Sequence, residues 1–295
     1  MKHHFGDFLD RTGDYWTTIP NRERFAFIAD FEIANKDEVK ILTISKTQDK
    51  NHWEQIFDCP NLEELTLHDP SKEQVQAIRK LTNIKRLRVT FFRATDIEFI
   101  GDLENLEELI LEYVSGFSDL SPLRKLTKLK SLHFENLRRV SNFDGLKGIN
   151  SLRYLHIDGT LDWSQPIDNF AFLEGLENLE VLGLGFIANK SDYPALLPLL
   201  KLKHFKRFKS GMATLSTKEF AFLEVAIADK ERCNFSNTKL EKYHINKDKS
   251  VYFLGKGTRS INLSDKNSKE KIEQFEKKYD EYRIEAERVI KSYCG

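Results

Sequence analysis

The 295-residue chain has few cysteines, no long hydrophobic run and no excess of charge of either sign. Its three cysteines, Cys59, Cys233 and Cys294, form an odd and widely spaced set, which excludes a disulfide framework and a cysteine-based zinc motif. No stretch approaches the roughly 20 apolar residues that a membrane helix needs. We therefore expect no structural disulfide and no membrane partner.

The charge balance and the first residues exclude two further classes. Lysine plus arginine equals aspartate plus glutamate, at 46 each, whereas a general nucleic-acid binder carries a basic excess. The segment 1–7 lacks the apolar core of a secretory signal, and Asp7, Asp10 and Asp14 stand where such a signal is hydrophobic. These features predict a cytoplasmic protein without a nucleic-acid partner.

Catalytic motifs are also absent from the sequence. The glycines of Gly255-Lys-Gly257 lack the strand and helix that flank a phosphate-binding loop, so a hairpin turn is the better interpretation. Cys233 and His244 are close along the chain, but nearness in sequence is not nearness in space. We expect a protein that is not an enzyme and binds no cofactor. An enzyme with its site in 216–295 is the less favoured alternative.

The chain repeats one six-residue sequence motif eight times, and we call this motif the phrase. Its best copies, such as Leu62 to Leu67 and Leu106 to Leu111, have leucine at the first, fourth and sixth positions. Successive copies begin 23, 22, 22, 23, 23, 27 and 26 residues apart. A period of about 20–29 residues is typical of a solenoid, in which each repeat packs only on its neighbours. The copies begin at Val39, Leu62, Ile84, Leu106, Leu129, Leu152, Leu179 and Phe205.

Each repeat predicts a strand followed by a helical turn. The alternation within the phrase is typical of a short strand with one buried face. The apolar period then changes to three, as at Ile97, Ile100 and Leu103, which indicates a 3₁₀ turn or a short α-helix. Ser71 and Gln74 have the spacing of a capping box and predict the start of such a helix.

Cys59 falls in the same period-three arm. It occupies the slot that Leu81 and Leu103 hold in later repeats. We therefore expect its side chain to act as a small buried hydrophobic group rather than as a reactive thiol.

The segment 39–210 resembles the leucine-rich repeat superfamily. Its short units are most similar to those of internalins and protein-phosphatase regulators, and the layout of the chain resembles standalone bacterial repeat proteins. The resemblance implies an α/β solenoid, with parallel strands inside an arc and 3₁₀ or α turns outside. Those families usually place an asparagine ladder shortly after the last strand leucine. This chain has no asparagine at the equivalent positions, so we expect apolar packing to replace the hydrogen bonds of the ladder. The equivalent positions hold Pro70, Phe92, Val114, Leu137, Thr160 and Ile187.

The ends of the chain differ from the repeats, so the sequence divides into three parts. We predict an N-terminal cap over 1–38, a solenoid of about seven to eight repeats over 39–215 and a C-terminal α+β capping domain over 216–295. Caps are expected because the open core edges of a solenoid must be covered. The apolar residues of the N-terminal cap are Trp16, Phe25, Phe27, Phe31 and Ile33.

The C-terminal domain is predicted to contain two helices and a β-hairpin. A helix over 216–228 begins with Ser216 and Glu219 as a capping box. Two strands within 250–263 surround a glycine-containing turn. The long helix over 269–291 has an apolar stripe. The stripe consists of Ile272, Phe275, Tyr279, Tyr282, Ala286 and Val289.

Alternate residues of the repeat strands point into the concavity and form three columns. The first column contains Ile41, Glu64, Arg86, Glu108, Ser131, Tyr154, Val181 and Arg207. The second column contains Thr43, Thr66, Arg88, Ile110, His133, His156, Gly183 and Lys209. The third column contains Ser45, His68, Thr90, Glu112, Glu135, Asp158 and Gly185. Three aromatic residues follow the strand exits, namely Phe91, Tyr113 and Phe186.

We predict that the middle of this face binds a protein partner. Its centre is acidic and rich in histidine, basic residues flank it, and aromatic residues stand at its rim. Aromatic and arginine side chains are the usual hot spots of protein interfaces. The alternative is a solvated sheet surface whose charges only keep the protein soluble. The candidate binding residues are Arg86, Arg88, Phe91, Glu108, Glu112, Tyr113, His133, Glu135, Tyr154, His156, Asp158, Phe186 and Arg207.

Four of these residues also have the chemistry of a metal site. They are His133 and His156 with Glu135 and Asp158, and imidazole with carboxylate is a common ligand set. A flat open sheet does not bring four ligands to one point, however, so we expect no metal here.

The favoured function is a non-catalytic protein-binding module, a monomer whose protein partner the sequence does not identify. An immunity or inhibitor protein held against a toxin is one form of this function. The alternative is a secreted effector or adhesin that binds a host protein, as the internalin resemblance implies.

Overall fold

The computed structural model describes residues 2–3, 26–28, 32–45, 52–227, 233–235, 238–239, 241–247 and 249–294. The predicted cap residues Trp16, Phe25 and Phe31 lie outside the described residues, as do the side chains of Cys233 and Cys294. The predicted cap is represented by two short strands and by Ile33, which is buried.

The described residues contain seventeen strands. Twelve of them form one sheet in the order β1-β2-β3-β4-β5-β6-β7-β8-β10-β12-β13-β14, while β9 pairs with β11 and β15-β16-β17 form a third sheet. In chain order the strands are β1 (Lys2–His3), β2 (Ala26–Ile28), β3 (Ile41–Ser45), β4 (Glu64–His68), β5 (Arg86–Thr90), β6 (Glu108–Glu112), β7 (Ser131–Glu135), β8 (Tyr154–Asp158), β9 (Gln165–Ile167), β10 (Val181–Gly185), β11 (Ile187–Asn189), β12 (Arg207–Ser210), β13 (Cys233–Phe235), β14 (Thr238–Lys239), β15 (Tyr243–Asn246), β16 (Ser250–Phe253) and β17 (Ile261–Asn262).

The eight repeated phrases form β3 to β8, β10 and β12, and each strand pairs in parallel with the strand of the next repeat. Equivalent residues stand side by side, so that Leu65 pairs with Leu87 and Leu87 with Leu109. This arrangement confirms the predicted leucine-rich repeat solenoid. The sheet also continues through β2 at one end and β13 at the other. The predicted domain boundaries at 38 and 215 therefore remain predictions.

The period-three segments form helical turns outside the sheet, as predicted. Two repeats contain short α-helices, α1 (Lys72–Ala77) and α2 (Glu98–Gly101). The Oγ of Ser71 accepts a hydrogen bond from the Gln74 amide at 3.1 Å, and Gln74 Oε1 accepts one from the Ser71 amide at 2.8 Å. The predicted capping box is therefore confirmed. The 3₁₀ turns are Lys36–Glu38, Trp53–Asp58, Ile78–Lys80, Ser121–Lys125, Asp144–Leu146, Ala171–Gly175 and Leu197–Lys201.

The core lies between the sheet and the outer turns. The inward leucines of the phrases, such as Leu109 and Leu111, are fully buried. Cys59 is also buried, as its slot predicts, and its Sγ lies 3.3 Å from the carbonyl oxygen of Gln55. Burial raises the pKa of the Cys59 thiol, which leaves less of the reactive thiolate at neutral pH.

Apolar packing takes the place of the asparagine ladder, but not completely. The six positions are Pro70, Phe92, Val114, Leu137, Thr160 and Ile187, of which only Thr160 is not buried. In the long coil after β8, the buried side chain of Gln165 accepts a hydrogen bond from the Leu137 amide at 2.9 Å. Its Nε2 donates to the Val140 carbonyl at 2.6 Å. One glutamine therefore supplies hydrogen bonds that the sequence predicted would be replaced by packing.

Asparagines do join neighbouring coils, at the opposite end of the strands. Asn105 donates to the Thr82 carbonyl at 2.7 Å, and Asn178 donates to the Asn150 carbonyl at 2.8 Å. Each bond spans one repeat and satisfies a carbonyl that the turn leaves unpaired. These bonds precede the strands, whereas the asparagine ladder of the repeat families that the sequence resembles follows them.

The C-terminal part contains the predicted helices α3 (Thr217–Ala226) and α4 (Ser268–Cys294) and the hairpin of β16 with β17. The third strand of this sheet, β15, was not predicted, although Tyr243 to Asn246 alternates as a strand does. Tyr279 and Ala286 of the predicted stripe are fully buried. Within the described residues, no helix has both the length and the apolar character needed to cross a bilayer.

The predicted capping box of α3 is only half formed. Ser216 Oγ accepts a hydrogen bond from the Glu219 amide at 3.2 Å. The Glu219 carboxylate turns away from Ser216, and its Oε1 accepts a hydrogen bond from the Ala195 amide at 2.7 Å. This bond ties α3 to the last long coil of the solenoid, which is a tertiary contact that spacing along the chain does not reveal.

Candidate functional site

The three predicted columns exist in the register that the sequence implies. In the third column, Thr90 pairs with Glu112, Glu112 with Glu135 and Glu135 with Asp158. In the second column, His133 pairs with His156. Adjacent parallel strands lie roughly 4.8 Å apart, so column neighbours touch across the sheet. The candidate residues of β5 to β8 therefore form one continuous surface.

Arginine and glutamate side chains form ion pairs along one half of this surface. Arg86 lies between two carboxylates, with Nη1 at 3.0 Å from Glu64 Oε1 and Nε at 3.3 Å from Glu108 Oε2. Arg88 donates from Nε at 2.8 Å and from Nη2 at 2.5 Å to Glu112 Oε2. Burial alone would lower the pKa of Arg86, but Glu108 and Glu64 outweigh it and raise that pKa. These arginines are held by their neighbours rather than freely available to a partner.

Two stacked histidines occupy the centre of the face. The rings of His133 and His156 are 4.7 Å apart between centroids and nearly parallel, at 5°. His156 Nε2 lies 3.2 Å from Asp158 Oδ2, and His133 Nε2 lies 4.0 Å from Glu135 Oε2. Burial lowers the pKa of His156, although Asp158 opposes this shift. Burial alone would raise the pKa of Glu135, but the contact with His133 outweighs it and lowers that pKa.

Two glycines in β10 make room for these side chains. A Cβ atom at Gly183 would overlap the imidazole of His156, and one at Gly185 would overlap the carboxylate of Asp158. His156 and Asp158 therefore lie over the neighbouring strand β10, in space that the side chain of any residue other than glycine at positions 183 and 185 would occupy. The sequence contains this signal, since glycine is unusual in the interior of a strand.

Carboxylates and imidazole converge beside the stacked pair. Ligand atoms of Glu112, His133 and Glu135 all lie within 4.8 Å of one another. The sequence pointed to a different four, which included His156 and Asp158. Glu112 joins the group because it is the cross-strand partner of Glu135.

The three aromatic residues after the strand exits are exposed, and we call them the aromatic rim. Phe91 is 52% exposed, Tyr113 is 38% exposed and Phe186 is 47% exposed. All three have left-handed backbone conformations, with φ of 55°, 54° and 41°. Phe91 stacks on Tyr113 with centroids 4.9 Å apart, and His68 meets Phe91 edge-on at 5.4 Å. Burial and the neighbouring Glu135 raise the pKa of the Tyr113 hydroxyl.

Two candidate residues are less accessible than their columns predict. His133 and Tyr154 are each only 7% exposed. His156 stacks against His133, and the Arg153 guanidinium lies 5.3 Å from the centroid of the Tyr154 ring. Arg207, at the far side of the first column, is half-buried beside Val181 of β10.

Comparisons with solved structures found two internalins and a leucine-rich repeat protein. Internalin InlF of Listeria monocytogenes is 21% identical, with a TM-score of 0.44 over 63% of this chain and 52% of its own. Internalin C2 of the same species is 24% identical, with a TM-score of 0.43 over 59% of this chain and 72% of its own. A leucine-rich repeat protein of Leptospira interrogans is 16% identical, with a TM-score of 0.39 over 60% of this chain and 46% of its own.

This chain thus matches about half the length of InlF and of the Leptospira protein. No protein-family model matches the chain. The search of curated proteins found no match either.

Proposed function

We propose that this protein is a binding module whose concave face recognises a protein partner, with the aromatic rim as the main contact. The observation that carries the proposal is the exposure of Phe91, Tyr113 and Phe186 in left-handed backbone conformations. Bulky residues avoid this conformation because the side chain crowds the backbone. Strain of about 1–3 kcal/mol per residue persists only where the surrounding structure enforces it.

Other repeats supply the expected residue types at the same place. Asp69 and Asn136 also follow strand exits and have φ of 45° and 53°. Aspartate and asparagine enter the left-handed region more easily than aromatic residues do. The backbone turn therefore does not require aromatic rings at Phe91 and Tyr113. Since much of each ring also stays exposed to solvent, a role in binding gives the better account of them.

The composition of the surface supports a protein as the partner. Aromatic side chains are rigid and lose little entropy on binding, and they dominate the hot spots of protein interfaces. The rim lies beside carboxylates of the third column, and Glu135 adjoins Tyr113. A nucleic acid is disfavoured because these carboxylates would repel its phosphates. A peptide or protein surface with apolar and basic groups fits this chemistry.

The test removes the rings and keeps the backbone conformation. We expect the double variant Phe91→Asn with Tyr113→Asn to fold normally, since asparagine accepts the left-handed turn. Truncation of hot-spot residues costs about 2 kcal/mol or more of binding free energy. Affinity capture from native lysate over a range of protein concentrations is expected to show an apparent Kd for the partner at least ~30-fold higher than with the unchanged protein.

Phe57→Asn provides the matched control, because Phe57 is 42% exposed but lies on the outer turn Trp53–Asp58. Capture by this variant is expected to equal that of the unchanged protein. Equal loss of the partner in control and rim variants, or no loss in either, would contradict the proposal. Capture of a toxin would assign the inhibitor role, and capture of a host protein would assign the effector role.

A further inference from the structure

We propose that Glu112, His133 and Glu135 bind a divalent transition-metal ion such as Zn²⁺ on the concave face. This inference does not rest on the proposed protein-binding function. The three ligand atoms already lie within 4.8 Å of one another. Two ligands of one tetrahedral Zn²⁺ ion lie roughly 3.3 Å apart when each bond is about 2.0–2.1 Å. Small side-chain movements therefore complete the site without any change in the backbone.

The repeat register brings the ligands together. Glu112 and Glu135 are cross-strand partners at the ends of β6 and β7. His133 precedes Glu135 by two residues, so it points to the same face of the sheet. From the sequence no metal is expected, because the four candidate ligands lie at separate points of an open sheet. Three ligands from two adjacent strands need no convergence from separate points.

Each ligand has a second group that orients it. Arg88 holds Glu112 through two hydrogen bonds to Oε2. Tyr113 contacts the Glu135 carboxylate, and the ring of His133 is fixed by its stack on His156. Second groups of this kind set the orientation of metal ligands in known sites.

The charge of the face favours a cation at this point. Glu112, Glu135 and Asp158 stand side by side in the third column, and neighbouring like charges destabilise a sheet. Within the described residues, the ion pairs of Glu135 and Asp158 are to histidines and to no lysine or arginine. Asp158 Oδ1 is buried and has no hydrogen-bond partner among those residues. A divalent cation would relieve this repulsion.

The test measures Zn²⁺ binding to chelator-treated protein by isothermal titration calorimetry, with no partner present. A background with His3→Ala and His4→Ala removes the adjacent histidines at the start of the sequence. We expect one Zn²⁺ ion per chain and a loss of affinity of at least ~10-fold in Glu135→Gln and in His133→Gln. Mg²⁺, which prefers oxygen ligands only, is expected to bind far more weakly.

His68→Gln is the matched control, because His68 belongs to the same third column but lies on β4, outside the ligand group. This variant is expected to bind Zn²⁺ as the background protein does. Absence of stoichiometric binding, or equal binding by the background and Glu135→Gln, overturns the proposal. Circular dichroism checks folding, and Glu135→Gln alone decides if His133→Gln does not fold. The two experiments are read separately, because the rim experiment measures capture of a partner and changes none of the three ligands, although Tyr113→Asn removes the contact to Glu135.

Discussion

At the scale of single residues, five repeats share one backbone conformation after the strand exit although their residue types differ. Asp69, Phe91, Tyr113, Asn136 and Phe186 all follow strand exits and all adopt positive φ. The amides of the first four continue the ladder to the next repeat, as in the bond from the Phe91 amide to the Glu112 carbonyl at 3.1 Å. Stacking of equivalent coils imposes this turn on the five residues, so even the aromatic residues, which disfavour positive φ, adopt it.

Tyr193 gives a pH-dependent prediction at the same scale. Burial, with smaller contributions from Glu285 and Glu219, raises the pKa of Tyr193 from 10.0 to about 12. A raised pKa means that the folded state keeps the phenol proton after the unfolded state has lost it. The resulting stability is present below pH 10 and is lost as the pH rises to about 12.

We therefore expect the free energy of unfolding to fall more steeply between pH 10 and 12 in the unchanged protein than in Tyr193→Phe. Urea unfolding at closely spaced pH values measures both curves. The difference between them isolates Tyr193 from the lysines that titrate in the same range. Parallel curves would show that the Tyr193 hydroxyl titrates normally in the folded protein.

At the scale of elements, the long coil after β8 departs most from the regular repeat. It contains β9, which pairs with β11 of the following long coil. Gln165 begins β9 and reaches back to the previous coil, where it satisfies the Leu137 amide and the Val140 carbonyl. The extra residues therefore add hydrogen bonds as well as length. These bonds fasten two coils of unequal size to each other.

Replacement of this glutamine tests the role of the long coil. Gln165→Met keeps a similar shape but leaves buried backbone groups of Leu137 and Val140 unpaired. Each unpaired group costs about 1–3 kcal/mol, so the free energy of unfolding is expected to fall by that amount or more. Gln274→Met on the exposed face of α4 is the control and is expected to stay within about 0.5 kcal/mol. Equal effects of the two changes would contradict the stabilising role of the Gln165 hydrogen bonds.

At the scale of the whole molecule, the C-terminal elements attach to the end of the solenoid. The turn after β16 docks through the Lys256 amide, which donates to the Leu215 carbonyl at 2.6 Å, and through Lys256 Nζ, which lies 3.0 Å from the Ile187 carbonyl. Helix α4 packs on α3 through Tyr279, whose hydroxyl donates to Glu224 Oε2 at 2.9 Å. The ring is fully buried and belongs to the same hydrophobic core as the repeats.

Tyr279→Ala is expected to lower the free energy of unfolding by about 3–5 kcal/mol, because it removes a buried aromatic ring. Tyr279→Phe is expected to cost only about 1–3 kcal/mol, since it removes the hydrogen bond to the Glu224 carboxylate. Tyr252→Ala is the exposed control.

In Tyr279→Ala, the rate of amide hydrogen exchange is expected to rise more in α3 and α4 than in β4 to β7, relative to the unchanged protein. The reason is that repeats interact with their nearest neighbours, so the loss stays near the end of the solenoid. Uniform loss of protection would contradict this localisation.

Much of this architecture was predictable from the spacing of apolar residues. The phrase at Leu106 predicts β6, and the slot of Cys59 predicts its burial, because each depends on contacts that recur once per repeat. The half-formed cap at Ser216 and the hydrogen bonds of Gln165 were not predictable. Both depend on one particular neighbouring coil, and a periodic pattern contains no information about a contact that occurs once.

The sequence by itself determined the repeat, its parallel register and the membership of the three columns. Because the coils have nearly equal lengths and stack one on the next, equivalent residues lie side by side, whatever their side chains are. Only the tertiary structure decided which column residues are accessible and which of them meet. His133 is covered by His156, Glu112 approaches Glu135, and the rings of the aromatic rim remain exposed. These outcomes depend on the size, charge and packing of side chains from adjacent coils, which spacing along one chain does not specify.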